Sequence, residues 1–115
     1  MAMITYWHNP RCSKSRAGLA LLEARGAQLT VRKYLEDAPT EAELRSVHAL
    51  LERPLADMLR PTEAQFRELG LSLSDAENDL FAAMAAHPKL IERPIAFTDT
   101  AAAIGRPSED LLRLL

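Results

Sequence analysis

The sequence predicts an α/β domain with a mixed sheet, and three observations carry that reading. The N-terminal part reads strand, helix, strand. The middle is helical, with almost no strand pattern. Strand character then returns near the C-terminus and leads into a last helix.

Taken in order, residues 4–7 (Ile-Thr-Tyr-Trp) form a β-branched and aromatic run that Pro10 ends. From Ser13 to Arg25, Ala17, Leu19, Ala20, Leu21 and Leu22 cluster at helical spacing, and Gly26 follows as a terminator. Residues 29–35 (Leu-Thr-Val-Arg-Lys-Tyr-Leu) read as the second strand. A strand–helix–strand run this short makes a βαβ unit with parallel strands and a right-handed crossover. Thr40 with Glu43 is a capping box that opens a helix through about residue 51. Thr62 with Gln65 repeats the pattern before Gly70, and Ser74 with Glu77 repeats it again for a helix to about residue 86. Pro54, Pro61 and Pro88 punctuate these pieces, so residues 40–88 are expected to be a helical insert. Residues 95–98 (Ile-Ala-Phe-Thr) form a strand, and residues 102–104 a weaker one, alanine being a poor strand former. Pro107 opens a helix over residues 108–115 with Glu109 and Asp110 in its acidic first turn. A βαβ unit followed by ββα is the order of the thioredoxin fold, here with a helical subdomain in place of a short connection. The expectation is one such domain over residues 1–115.

A chain of 115 residues, 48% of them hydrophobic, suffices for one core and hardly for two domains. Its formal net charge of −2 argues against nucleic-acid binding driven by bulk charge. No apolar run has the length of a membrane helix, and the N-terminus runs into strand pattern without a secretory signal. The one cysteine cannot form an internal disulfide, and a free thiol suits the reducing cytoplasm.

That cysteine, Cys12, sits in the stretch Trp7-His8-Asn9-Pro10-Arg11-Cys12-Ser13-Lys14-Ser15-Arg16, at the junction of the first strand and first helix. Cationic neighbours and the positive end of a helix dipole both favour thiolate, the reactive form. His8 can act as imidazolium beside the thiolate or as imidazole accepting the thiol proton. His8 and Cys12 make only two metal ligands, with no third nearby, so no metal is expected. The first-turn amides of Ser13, Lys14 and Ser15 form an anion nest, and the hydroxyl of Ser13 or Ser15 is a candidate donor to a thiolate or oxyanion. A phosphatase-type Cys-x5-Arg loop would need arginine where Gly18 stands. A Cys-x-x-Cys redox pair would need cysteine where Ser15 stands. Redox turnover at Cys12 therefore needs a thiol from outside the chain. Arg60, Arg93 and Arg106 each precede a proline at an element boundary, and their planar forks suit an oxyanion. Pro94 occupies the place where a thioredoxin fold carries a cis-proline facing its thiol.

His8 through Arg16, Tyr34-Leu35-Glu36, Leu59-Arg60, His87 through Ile95 and Gly105 through Glu109 resemble the glutaredoxin-coupled arsenate reductase family, in the branch of the thioredoxin superfamily that also holds Spx-type regulators. The motifs occur in order along essentially the whole chain. The charged Pro10–Ser15 loop and early end resemble a short branch of that family. The resemblance implies an arsenate reductase with no bound cofactor. Cys12 would attack arsenate or a similar oxyanion, glutathione would add as cosubstrate, and the partner glutaredoxin would complete reduction to arsenite. It also implies that Arg60, Arg93 and Arg106 bind the oxyanion, with Ser15 beside them, and that His8 lowers the Cys12 pKa. Two other readings are a glutathione-linked thiol oxidoreductase without arsenate activity and a Spx-like regulator binding RNA polymerase. Ser15 removes the Cys-x-x-Cys switch the latter uses.

Overall fold

The computed structural model describes residues 3–115. The chain divides into two compact units, one running through Asp37 and resuming at Arg93–Leu115, the other Ala38–Glu92.

The first unit holds the sheet. Strands β1 (Met3–Trp7), β2 (Gln28–Arg32), β3 (Ile95–Phe97) and β4 (Ala102–Ile104) lie in the order β2-β1-β3-β4. β1 pairs parallel with β2 and antiparallel with β3, and β3 pairs antiparallel with β4, which makes the sheet mixed. This is the thioredoxin-like arrangement. Helix α1 (Ser13–Ala24) links β1 to β2, and Gly26 ends it at φ 72°. There the Gly26 amide bonds Glu23 O and the Ala27 amide bonds Leu22 O, a Schellman closure that needs the left-handed residue glycine supplies.

Alternation along β1 sends Ile4 and Tyr6 to one face. They join Leu22, Ala96, Ala103, Leu111 and Leu114 in the core. On the other face Trp7 meets Phe97 edge-on, with ring centroids 5.4 Å apart. α1 lies so close to the core that Gly18 has no room for a side chain. A Cβ there would stand 2.5 Å from Tyr6 Oη and 2.7 Å from Leu111 Cδ1. Tyr6 Oη cannot yield easily, because it donates to the Ser15 carbonyl at 2.7 Å. Gly18→Ala is therefore expected to destabilise the fold by about 1–3 kcal/mol. A lowered midpoint in urea unfolding would show it, and an unchanged midpoint would refute the packing argument.

β2 stops three residues earlier than its sequence pattern suggests, at Arg32 rather than Leu35. His8 N–H still reaches Arg32 O, but Asn9-Pro10 then turns β1 away and leaves residues 33–35 no strand to pair with. They form a turn instead, with the Glu36 and Asp37 amides both on Lys33 O. The C-terminal segment Ser108–Leu114 is a 3-10 helix rather than an α-helix. Seven residues without a side-chain cap gain little from α-helical cooperativity.

The second unit contains α2 (Glu41–Leu51), α3 (Ala64–Glu68) and α4 (Glu77–Ala86), with 3-10 turns at Leu55–Met58 and Pro88–Leu90. The Thr40–Glu43 capping box forms as expected. The other two boxes do not. Gln65 turns its amide to His87 Nδ1 at 2.9 Å, and α3 starts after Glu63 without a side-chain cap. Ser74 is taken into a turn with Ser72 and Asp75, so α4 starts after Ala76. In both places a competing side-chain hydrogen bond wins over a local cap. α2 buries Leu44, Val47 and Leu51, and α4 buries Leu80, Phe81 and Met84. His48 meets the Phe81 ring edge-on and bonds Arg53 O, a packing role.

Candidate active site

The site grows from the end of β1. Asn9-Pro10 turns the chain, the Cys12 amide bonds Asn9 O at 3.0 Å, and Asn9 Oδ1 accepts the Arg11 amide at 3.0 Å. These bonds set Cys12 at the N-cap of α1 in an extended conformation (φ −96°, ψ 121°). A sulfur placed there faces the unsatisfied first-turn amides of the helix.

Cys12 is 9% exposed. That burial pushes its thiol pKa upward. Against it stand the Ser15 amide, the Arg93 guanidinium and the Lys14 amide, all donating to the sulfur, together with the charge of Arg93. The donors prevail, and the thiol lies below its ordinary pKa. The sulfur is thus shielded from water yet surrounded by hydrogen-bond donors.

Ser15 is fully buried. Its Oγ accepts the Asn9 amide at 3.0 Å and pairs with His8 Nδ1 at 2.7 Å. Oγ is thus engaged from two sides within the protein. The donor Ser15 offers the sulfur is its backbone N–H.

His8 is likewise buried, in surroundings that disfavour the imidazolium. Burial lowers its pKa, and the charges of Lys33 and Arg16 lower it further, with Glu23 opposing them. The groups acting on the Cys12 sulfur do not include His8. Its contact is with Ser15, and through Ser15 it helps hold the first turn of α1. Ser15→Ala would leave His8 Nδ1 and the Asn9 amide without their partner. We expect it to cost about 1–3 kcal/mol of stability. It should leave the Cys12 thiol still acidic, because the backbone donors remain. Thermal unfolding and a pH titration of alkylation rate would measure the two effects, and a thiol returned to ordinary acidity would contradict the assignment.

Arg93 is brought to Cys12 as its sequence position suggested. The Arg93–Pro94 and Arg106–Pro107 peptide bonds are both cis. Arg106 is exposed, and its Nε donates to Arg93 O at 2.7 Å, which sets the two arginines side by side. Arg60 belongs to the helical unit, where its Nη1 pairs with Glu63 at 2.9 Å and approaches Lys89 O at 3.4 Å. The sequence reading gave no role to Tyr6, which fixes the Ser15 carbonyl and so the amides of that turn. An aromatic residue at an inward strand position carries only a core signal, so nothing in the pattern marked it. Among the described residues no three His, Cys, Asp or Glu side chains cluster to hold a metal. Among those residues, too, no helix is long and apolar enough to cross a membrane.

Comparison with known proteins adds a further finding. The model of the ArsC family matches residues 7–114. An arsenate reductase of Neisseria meningitidis serogroup A is 44% identical over 117 aligned positions, covering 100% of both chains. An arsenate reductase of Haemophilus influenzae is 40% identical, again over 100% of both. The structure of an arsenate reductase from Vibrio cholerae superposes with a TM-score of 0.93 at 44% identity, covering 99% of this chain and 98% of the other.

Proposed function

Because this chain belongs to the ArsC family, a family of oxidoreductases, we propose that it reduces arsenate to arsenite with electrons from glutathione and glutaredoxin. The observation that carries the reading is the Cys12 sulfur at a helix N-cap, held acidic by two backbone amides and the Arg93 guanidinium.

In this reading the Cys12 thiolate attacks arsenic, a bond from sulfur to arsenic(V) forms, and an arsenate oxygen leaves as water after protonation. The donors that hold the thiolate then face the negative oxygens of the adduct. Arg93 remains as an anion-binding fork, with Arg106 beside it and Arg60 as a third candidate. Reduction of arsenic(V) to arsenic(III) takes two electrons. Cys12 is the only cysteine, so the electrons come from two external thiols, which leave as one disulfide while Cys12 is released as thiolate. Glutathione and glutaredoxin supply those thiols. The free, reduced cysteine this cycle requires suits the cytoplasm.

The test is NADPH oxidation coupled through glutathione reductase, with glutathione and glutaredoxin present. Arsenate-dependent consumption is the expected result. Consumption with a small mixed disulfide but none with arsenate would replace this reading with a general thiol oxidoreductase.

A further inference from the structure

A thiol from outside must approach Cys12 along some path, and one groove abuts the loop that carries it. The groove has a volume of about 270 Å³ and lies between the 8–11 loop and the turn after β2. Arg11 and Lys33 line it with positive charge, Glu36 adds one carboxylate, and Pro10 and Leu35 supply an apolar floor. Arg11, Lys33 and Glu36 are exposed, and none is in an ion pair among the described residues. Lys33 also bears on the loop from the β2 side, since its charge is felt at His8.

Two free cations and one free carboxylate thus flank an apolar strip. The pattern complements a small zwitterion with two carboxylates and one ammonium group, separated by a short chain. The volume suits part of a tripeptide and is too small for a folded partner. Arg11 directly precedes Cys12 in the chain, so the groove lies on the loop that leads into the sulfur's residue.

We propose that the groove between the 8–11 loop and the 33–36 turn seats the low-molecular-weight thiol cosubstrate, a peptide thiol bearing two carboxylates. Arg11 and Lys33 hold the carboxylates and Glu36 holds the ammonium. This rests on the thiol-dependent reduction proposed above, and it assigns to the groove a role separate from the oxyanion fork of Arg93.

S-methylglutathione is the probe, because it keeps every charge and cannot react. It is titrated into isotope-labelled protein and followed by amide NMR, with no arsenate and no turnover. Saturable shifts confined to residues 8–11 and 33–36 are expected. Lys33→Glu should weaken binding by about tenfold, and the monoester of the probe's glycine carboxylate should bind more weakly too. Lys33 is exposed, so the substitution does not threaten the core. Shifts clustered elsewhere, or equal affinities for the wild type and Lys33→Glu, would overturn the proposal. So would the absence of any shift at roughly 10 mM probe. A failed arsenate assay with a positive titration would remove the arsenate reading and leave the groove assignment standing.

Discussion

Cys12→Ser is expected to reduce arsenate-dependent turnover to background, a loss of roughly 10³-fold or more. Serine is nearly isosteric and keeps the N-cap position, which it favours by propensity. The fold should therefore survive, and circular dichroism with a urea midpoint would establish that it does. What disappears is the nucleophile. A hydroxyl at this position stays protonated near neutral pH, and no neighbouring base is placed to activate it. His8 is engaged with Ser15. Activity above about one-tenth of wild type would mean that another group attacks arsenic, and the proposed chemistry would fail.

The second large effect is expected at Arg93. In the wild type, burial raises the Cys12 pKa, while the Ser15 amide, the Arg93 side chain and the Lys14 amide lower it to a net depressed value. Arg93→Ala removes a charge-assisted donor and leaves the opposing burial in place. The thiol pKa then rises, and the acid limb of both the alkylation rate and kcat/KM moves to higher pH. The sign follows from the thiolate being the reactive form. A depressed pKa keeps thiolate present as pH falls below the ordinary thiol range, and the variant loses it sooner. The same linkage acts on stability. The thiolate's contribution is complete above the unfolded thiol pKa and fades as pH falls through the folded one, and the variant loses that increment. At neutral pH kcat/KM for arsenate should drop by about 10²-fold, since the same donor faces the adduct oxygens. Arg93→Lys should recover part of the pKa effect through its charge, but less of the rate, because it lacks the planar fork. An Arg93→Ala protein with an unshifted alkylation profile would show that the backbone amides alone set the thiol.

Most of the framework around Cys12 was legible locally. The position of the cysteine between a β-branched strand and an apolar-periodic helix placed it at a helix start, and Asn9-Pro10 marked the turn. The Thr40–Glu43 cap was readable because both partners lie within one helical turn and nothing distant competes for them. Thr62 with Gln65 had the same signature and failed, because His87, far along the chain, takes the Gln65 amide. Ser15 shows the same limit at the site. Its residue type and position suggested a donor to an anion, yet His8 and Asn9 occupy the hydroxyl and only its amide meets the sulfur.

Residue order along the chain was sufficient for the α/β class, the parallel βαβ entry, the helical middle and the identity of the reactive sulfur, because each follows from periodicity, turn chemistry or a unique residue. Folding settled the rest. It turned His8 into a brace for Ser15 and gave Tyr6 the task of holding the first turn of α1. These outcomes depend on which buried groups find partners at close range and how much water is excluded around them. Hydrogen-bond competition and desolvation act between residues distant in the chain, and a linear pattern carries no record of them.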